Sequence, residues 1–373
     1  MNKKILILYT SVGLGHKFNA QNIGYHLEQA GYEVKLHDVL QLQSGLIVKL
    51  GEMLHKLVNQ KFPFIWRWLY LSENFNRLTL RLRVPLAGRN NAHVKKVVDE
   101  FKPDVVITTQ TTASAVMAYL KREKLYTGKL IIAFSDYHLH EYWLYDEADL
   151  YLANIEEQKA EMKHLGVAPD KIAVCGITLK PKEVVDLALV RTALSVKAQD
   201  KVVLVASGSL GIGFTPELLS GFVRVLVSEL KAVKVVLVCG KNIELQKSLK
   251  KMNLPQTTVL GFYDRLRDLY QIADVFITKP GGLTIAEALQ AGTRMVITHW
   301  LPGQEELNYN YLLEHTLIDP VLQPLTADNL AKTVHRLLST DIKSETVDYS
   351  IITQKNHEGV VLLQAVKSLF HNV

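Results

Sequence analysis

The stretch from Thr278 to Asn308 reads TKPGGLTIAEALQAGTRMVITHWLPGQEELN, and it decides the fold of the second half of the chain. The apolar run that ends at Thr278 has the composition of a buried strand, and Pro280-Gly281-Gly282 then forces a tight turn. Apolar residues follow at helical spacing until Gly292. A second apolar run and a polar Pro-Gly-Gln-Glu-Glu loop come next. This order of elements predicts an α/β fold with a parallel sheet.

The glycine turn at the start of this helix suits an anion. A helix N-terminus carries unpaired backbone N–H groups and the positive end of the helix dipole. Glycine has no side chain to keep a phosphate away from the backbone. The same turn also occurs where a chain merely reverses direction, so this motif alone leaves both interpretations open. The residues predicted to bind a ligand here are Gly281, Gly282, Leu283 and Thr284.

Further polar groups lie where a nucleotide sugar would need them. Glu287 is on the same predicted helix, and its carboxylate can accept hydrogen bonds from two ribose hydroxyls. Gln304 and Glu305, in the following loop, offer an amide and a carboxylate to a hexose. Both motifs follow strands, which places them at the carboxyl edge of the sheet, where open α/β folds bind ligands. Phosphate, ribose and hexose together predict a nucleotide sugar.

A second candidate phosphate cradle precedes this stretch. An apolar run from Lys201 ends in a loop of glycines and serines, residues 207–213, before a helix predicted at Thr215 and Pro216. Backbone N–H groups and hydroxyls of such a loop can surround a phosphate. It lacks the Gly-Lys-Ser/Thr ending of an ATP-binding loop, so ATP hydrolysis is not supported. The predicted ligand-binding residues are Ser207, Gly208 and Ser209.

The motifs PGGLTIAEA and PGQEELN resemble the signature of a family of inverting glycosyltransferases. This family includes the processive diacylglycerol glucosyltransferases of Gram-positive bacteria, the plant monogalactosyldiacylglycerol synthases and, more distantly, the lipid I N-acetylglucosaminyltransferase. The resemblance extends over nearly the whole chain. It implies the GT-B fold, an α/β fold of two doubly wound Rossmann-like domains facing a cleft. It also implies a UDP-hexose as donor substrate and no other cofactor.

The same resemblance implies roles for several residues. The loop Gly-Leu-Gly-His carries Gly15 and His16, and the histidine is the proposed general base that activates the acceptor hydroxyl. Around residues 11–17, Gly-Leu-Gly-His replaces the commoner glycine-rich form of this loop, which leaves the acceptor class open. Near the acceptor, the family carries the pattern T-D-x-x-x-H-x-x-W. Asp136, His140 and Trp143 match it, and Ser135 replaces the threonine. Asp136 and His16 are the two predicted catalytic residues. Gly261 and Phe262 lie where the family contacts uracil through the backbone.

The same region also contains side chains that can bind a metal ion. Asp136, His138, His140 and Glu141 are all possible ligands. However, the histidines alternate with apolar residues, and there is no helical His-x-x-x-His pair. Nor does an Asp-x-Asp motif follow a strand, so we expect no essential metal.

Composition bounds the class of protein. With 373 residues and 48% hydrophobic content, the chain is long enough for two domains with substantial cores. Cys175 and Cys239 each end an apolar run, which favours buried free thiols in a reducing compartment. The sequence has no apolar run of about 18 residues, the length that a membrane span requires. The apolar run near the start of the chain is too short for the hydrophobic region of a signal peptide. We therefore expect a cytoplasmic protein.

Positive charge is concentrated in residues 44–96, where ten Lys or Arg stand against two Glu, although the whole chain is only +6. Aromatic residues among cations are typical of peripheral proteins at the headgroup boundary of a membrane. An ordinary helical insertion that packs on its own domain is the alternative. Nucleic acid fits less well, because no recognised nucleic-acid motif accompanies the charge. The predicted residues for contact with an anionic membrane surface are Trp66, Trp68, Arg77, Arg81 and Arg83.

These observations predict three parts and one activity. Residues 1–178 form an acceptor and membrane-side domain, 179–350 a UDP-sugar-binding domain, and 351–373 a helix that returns to the first domain. The expected enzyme is peripheral on the inner face of the cell membrane and moves a hexose from UDP-hexose to a lipid acceptor, for which the resemblance implies diacylglycerol or a glycosyldiacylglycerol. A UDP-sugar epimerase, a transferase with a soluble or polyprenyl-linked acceptor and, less favoured, a non-catalytic UDP-sugar sensor remain open.

Overall fold

The computed structural model describes residues 3–11, 14–40, 63–88, 92–340 and 359–371. Most strands along these residues are followed by a helix. The strands are β1 Lys4–Tyr9, β2 Glu33–Asp38, β3 Val105–Thr108, β4 Lys129–Ala133, β5 Leu150–Ala153, β6 Ile172–Val174, β7 Lys201–Ala206, β8 Val233–Val238, β9 Thr257–Leu260, β10 Val275–Thr278, β11 Arg294–Ile297 and β12 Asp319–Pro320. The helices are α1 Leu14–Gln29, α2 Pro63–Leu71, α3 Glu73–Gly88, α4 Ala92–Phe101, α5 Thr111–Arg122, α6 Glu156–His164, α7 Leu187–Ala193, α8 Pro216–Glu229, α9 Ile243–Lys251, α10 Leu266–Ile272, α11 Gly282–Ala291, α12 Gln304–Glu314, α13 Ala327–Ser339 and α14 Val360–His371. Three described helices follow β2 in succession, and only a short 3-10 turn separates β4 from β5.

The chain divides into two compact units. The described residues of 1–181, 301–307 and 350–373 form the first unit, and those of 182–300 and 308–349 form the second. Each unit holds one six-stranded sheet. Helix α14 therefore belongs to the first unit, and so does the short segment 301–307, which contains the first turn of α12.

In the first unit the strand order is β2-β1-β3-β4-β5-β6, and every pair is parallel. Strand β1 shows why the sheet is buried on both faces, since Ile5 and Ile7 belong to one core cluster and Leu6 and Leu8 to the other. A strand covered by helices on both faces must be apolar throughout. The strand order reverses between β1 and β3, which makes this point of the sheet edge a ligand-binding crevice in open α/β folds.

In the second unit the order is β12-β11-β10-β7-β8-β9, again with every pair parallel. Here the order reverses between β7 and β10. The loops that leave these two strands are the two glycine motifs, residues 207–213 and the turn before α11. Two doubly wound parallel units confirm the predicted fold class.

Local sequence signals mark the boundaries of the helices as expected. Gly292 terminates α11 with a φ of 74°, a conformation that costs glycine little. Thr215 caps α8 by accepting a hydrogen bond from the Leu218 N–H, and Pro216 occupies the first helical position.

The predicted basic segment is described only in part. Residues 44–62 and 89–91 lie outside the described residues, and the remainder forms α2, α3 and the start of α4. None of the helices in the described ranges combines the length and the apolar character that a bilayer span requires.

Candidate active site

The glycine loop after β7 is shaped by close backbone contacts. Gly208 and Gly211 have φ angles of 64° and 61°, in the left-handed region. A Cβ on Gly211 would lie 1.9 Å from the carbonyl oxygen of Cys239, so only glycine fits there. The predicted ligand residues Ser207, Gly208 and Ser209 thus lie on a tightly packed turn at the carboxyl end of β7.

The turn after β10 is also anchored. The Gly281 N–H donates to the Lys279 carbonyl at 2.9 Å, and Asn308 Nδ2 donates to the Pro280 carbonyl at 3.0 Å. Gly281 is the N-cap of α11, and Leu283 and Thr284 lie in its first turn, as predicted. This geometry is the helix N-terminus to which a phosphate binds in other α/β proteins.

The tertiary structure brings the two glycine loops together. Because β7 and β10 pair directly, a Cβ on Gly208 would lie 3.2 Å from Lys279 Cε. Sequence reasoning missed Lys279, although a cation directly before a Pro-Gly-Gly turn was the available signal. An ammonium group beside two glycine loops supplies the charge that a diphosphate requires.

His299 is a second residue that the sequence did not single out. It follows β11, and its Nε2 lies 2.9 Å from Ser207 Oγ and 3.1 Å from the Ile212 carbonyl oxygen. Its signal was weak, because a histidine after a strand has many possible roles.

Glu287 faces a cavity of about 110 Å³ whose lining includes Asp264, Arg265, Arg267 and Gln290. Burial raises the pKa of Glu287 to about 7, and the charge of Arg267 opposes this rise. Arg267 also donates to Gln290 Oε1 at 2.7 Å. The carboxyl group is therefore poised between its acid and carboxylate forms near neutral pH, and its contact with a ribose stays a prediction.

Gly261 and Phe262 follow β9, the edge strand of the second sheet. The Phe262 side chain is 48% exposed, and Lys241 Nζ lies 5.9 Å from the centre of its ring. Phe262 thus presents an exposed ring after the edge strand, and the backbone contact with uracil stays a prediction.

In the first unit, His16 lies on the first turn of α1, next to the exposed Gly15. Its Nδ1 atom is buried and has no hydrogen-bond partner among the described residues. Burial lowers the pKa of His16, and the negative charge of Asp136 opposes this effect. The imidazole is therefore mostly neutral at pH 7, which is the form that accepts a proton.

Asp136 is held rigidly after β4 and is only 5% exposed. Its carbonyl oxygen accepts hydrogen bonds from Asn154 Nδ2 at 2.8 Å and from Gln158 Nε2 at 2.9 Å. Its Oδ2 accepts one from Gln304 Nε2 at 2.8 Å. Within the first unit, the structure thus joins a predicted catalytic carboxylate to a residue predicted to bind the hexose.

Glu305 has a different environment from the one predicted. It is buried, and its Oε2 accepts a hydrogen bond from the Leu301 N–H at 2.8 Å. The carboxylate therefore closes its own loop, and in this conformation that oxygen is not offered to a sugar.

The two histidines after Asp136 both contact Tyr70, the penultimate residue of α2. The Tyr70 hydroxyl lies 2.9 Å from His138 Nε2. His140 Nδ1 accepts from the Tyr142 N–H at 3.2 Å, so its Nε2 carries the proton and donates to the Tyr70 carbonyl at 3.0 Å. Both rings are thereby engaged in hydrogen bonds that connect α2 to the Asp136 loop.

Two residues predicted for the acceptor or membrane surface lie inside the first unit instead. Trp143 is 7% exposed and packs edge-on against Phe134, with ring centres 5.4 Å apart. Arg83 donates to the carbonyl oxygens of Glu141, at 2.9 Å, and of Leu144, and its guanidinium stacks on the Tyr145 ring. Packing thus engages the Trp143 indole and carbonyl hydrogen bonds engage the half-buried Arg83, and a lipid contact of either side chain stays a prediction.

Helix α2 presents apolar side chains to solvent. Phe64 and Trp68 are 68% and 63% exposed, whereas Trp66 is half-buried. Arg67 makes an ion pair with Glu306 at 2.8 Å. Arg81, on α3, is exposed as predicted, and the side chain of Arg77 lies outside the described part of the structure.

Two family models match the chain in succession. Residues 16–179 match monogalactosyldiacylglycerol (MGDG) synthase, and residues 192–352 match glycosyl transferases group 1. Among curated relatives, the processive diacylglycerol beta-glucosyltransferase of Bacillus subtilis is 27% identical over 322 residues, which cover 83% of this chain and 81% of that protein.

Solved structures agree in fold. A putative UDP-N-acetylglucosamine 2-epimerase from Listeria monocytogenes has a TM-score of 0.64 at 14% identity, and the superposition covers 100% of this chain and 98% of the epimerase chain. MurG from Acinetobacter baumannii has a TM-score of 0.61 at 16% identity, and the superposition covers 98% of this chain and 99% of the MurG chain. At such identities the likeness shows the fold alone. The family matches and the curated relative confirm the resemblance: the chain carries a match to monogalactosyldiacylglycerol synthase and one to glycosyl transferases group 1, and it is similar over most of its length to a processive diacylglycerol beta-glucosyltransferase.

Proposed function

We propose that this enzyme is an inverting glycosyltransferase that moves a hexose from a UDP-sugar to a membrane lipid, with diacylglycerol or a glycosyldiacylglycerol as the acceptor. It acts as a peripheral protein on the cytoplasmic face of the membrane. The curated relatives that carry this activity in their names support the acceptor class. The structure adds physical support for the donor and for the acceptor separately.

The donor proposal is supported by the second unit. Two glycine loops and Lys279 meet where the strand order reverses, and Glu287 lies further along the helix that starts at one of these loops. Backbone N–H groups and an ammonium charge suit the diphosphate, which must leave with an extra negative charge. The carboxylate of Glu287 suits the two ribose hydroxyls.

The acceptor proposal depends on one observation above all. Helix α2 carries the exposed Phe64 and Trp68, and its Tyr70 contacts both histidines of the Asp136 loop. An apolar surface thus begins on the same short helix that contacts the loop of a predicted catalytic residue. A lipid needs this combination, since its acyl chains require apolar surface while its hydroxyl must reach a base.

The proposed reaction is a single displacement. The acceptor hydroxyl gives its proton to neutral His16 as its oxygen bonds to the anomeric carbon. The bond from that carbon to the β-phosphate oxygen breaks, and UDP leaves with the electron pair. Attack from the side opposite to UDP inverts the anomeric configuration. Lys279 and the glycine loops hold the negative charge that develops on UDP, so we expect turnover to persist in EDTA.

Labelled UDP-glucose, UDP-galactose and UDP-N-acetylglucosamine, each incubated with purified enzyme and diacylglycerol vesicles, test this function. We expect label from one donor in the extracted lipid, with β-linkage if that donor is an α-anomer. The His16→Ala variant is the matched control and should leave the lipid unlabelled. An epimerised UDP-sugar formed without acceptor, and no labelled lipid, would instead establish the epimerase.

A further inference from the structure

His299 lies where the second unit could use it to shape the donor site. It follows β11, which pairs with β10 beside the switch point. Its ring meets the end of the glycine loop, since a Cβ on Gly213 would lie 1.9 Å from Nε2. Phe214 packs edge-on against the ring from the same loop, with ring centres 4.8 Å apart. The loop and the histidine are therefore fitted to each other.

The hydrogen bonds of the ring are consistent with one tautomer. Thr298 Oγ1 lies 2.9 Å from Nδ1 and can donate its hydroxyl proton there. Nε2 then carries the hydrogen, and it lies 2.9 Å from Ser207 Oγ and 3.1 Å from the Ile212 carbonyl oxygen, which are both acceptors. The Ser207 hydroxyl in turn donates to the Ile212 carbonyl. A neutral imidazole with its proton on Nε2 satisfies every one of these groups.

We propose that His299 is a positioning residue for the diphosphate of the donor. Ser207, the first residue of the loop, bonds directly to Ile212 near its end, and His299 Nε2 reinforces this closure by bonding to both partners. This inference rests on the proposed UDP-sugar donor, and it assigns His299 no direct contact with the reacting atoms.

The physical reason lies in the composition of the loop. Gly208, Gly211 and Gly213 all have positive φ, and glycines of this kind leave the unbound loop many alternative conformations. A phosphate that binds backbone N–H groups must then supply the free energy that orders them. A clamp already present in the free protein removes most of that cost, which is how preorganisation increases affinity.

The test compares binding of UDP and of uridine by calorimetry in three variants. His299→Ala removes the clamp, His299→Gln keeps an amide donor near the position of Nε2, and His299→Asn keeps one only near Nδ1. We expect UDP affinity to fall about tenfold or more in the Ala and Asn variants and by less than about threefold in the Gln variant. Uridine affinity should stay unchanged in all three, because uridine has no phosphate.

His335→Ala, which changes a half-buried histidine of α13 in the same unit, is the matched control and should bind both ligands normally. Thermal unfolding verifies that each variant is folded. An equal loss of UDP and uridine affinity, full UDP affinity in His299→Ala, or failure of Gln to restore binding would each overturn the inference. If the unaltered enzyme binds uridine but gains nothing from the diphosphate, the proposed donor itself is wrong.

Discussion

The Thr109 hydroxyl donates to the backbone carbonyl of His16 at 3.1 Å. Thr109 directly follows β3 and His16 lies in the first turn of α1, so this bond joins the two sides of the switch point in the first sheet. It fixes the backbone of the predicted base through its carbonyl group. The Thr109 backbone also hydrogen-bonds to the imidazole, whereas Nδ1 has no partner among the described residues.

Replacing His16 by Ala should lower turnover by at least about 100-fold, because a positioned general base contributes 10² to 10⁴ in rate. UDP affinity should not change, since His16 lies in the first unit and the predicted diphosphate contacts lie in the second. Initial rates at saturating substrate and calorimetry with UDP measure the two effects. His164→Ala, at an exposed position on α6, serves as the control and should be fully active. Near-normal turnover of a folded His16→Ala enzyme would remove this residue as the base.

The pH dependence of kcat/KM should have its acid limb below pH 6.5. Burial lowers the pKa of His16, so the active neutral form persists to more acidic pH than for an exposed histidine. Asp136 acts in the opposite direction, since its charge favours the imidazolium. Asp136→Asn should therefore move the acid limb to still lower pH, besides any loss of rate. A limb that stays in place, or moves to higher pH, would show that Asp136 does not act on the titrating group.

Glu287 should link proton release to donor binding. Its pKa is raised to about 7 by burial, so a substantial fraction is protonated at neutral pH. The carboxylate form accepts hydrogen bonds from both ribose hydroxyls, so UDP should lower this pKa and expel a proton. Calorimetry at pH 7 in buffers of different ionisation enthalpy should report up to about half a proton released per UDP, since about half of the Glu287 side chains are protonated at that pH. The release should vanish in Glu287→Gln, and equal release from both proteins would contradict the assignment.

The same carboxyl group makes a prediction about stability. Between the unfolded pKa near 4.5 and the folded pKa of about 7, the folded protein binds more protons, so stability falls as pH rises through this window. Replacing Glu287 by Gln removes this loss. We expect the variant to gain about 2 kcal/mol relative to the unaltered protein between pH 5 and pH 8. Urea unfolding at both pH values measures this difference, and an unchanged difference would mean that Glu287 titrates normally.

Helix α2 should contribute to vesicle binding through Phe64 and Trp68. Burying each side chain in a bilayer interface is worth about 1.5 to 3 kcal/mol, so changing both to Ser should weaken binding at least tenfold. Leu189→Ser with Ile243→Ser is a matched control, because these residues of the second unit are 67% and 60% exposed. Cosedimentation with anionic vesicles at low and high salt is the measurement. An equal loss of vesicle binding in both double variants would contradict a specific role of α2.

Charge should contribute separately. Arg81→Glu is expected to weaken binding to anionic vesicles and to reduce its salt dependence, since each exposed cation near such a surface is worth about 1 kcal/mol. Arg83 cannot serve in the same test, because its guanidinium binds backbone carbonyls inside the first unit. Binding that ignores both lipid charge and Arg81→Glu would leave the apolar side chains as the whole membrane contact.

Much of this molecule could be predicted from sequence because the deciding signals are local. Apolar runs without polar alternation identified strands buried on both faces, and Gly292 and Pro216 marked helix ends through their backbone preferences alone. The glycine turns and Glu287 were found for the same reason, since a turn or a helix position depends on its immediate neighbours. Which strands pair is not a local property. Only the order of the second sheet placed β7 beside β10 and so brought Lys279 to the loop of Gly208.

The burial and the hydrogen bonds of individual side chains were likewise decided by the tertiary structure. Sequence assigns Trp143 to the acceptor region and Arg83 to a membrane surface, but the fold buries the indole and brings two backbone carbonyl oxygens within reach of the guanidinium. His299 had no distinguishing motif, and it gained a role only when sheet pairing placed it against Ser207. Backbone geometry and periodic burial depend on neighbouring residues, so a short stretch of sequence predicts them. Hydrogen bonds between distant residues depend on the order of the strands in the sheet, and no short stretch of sequence contains that information.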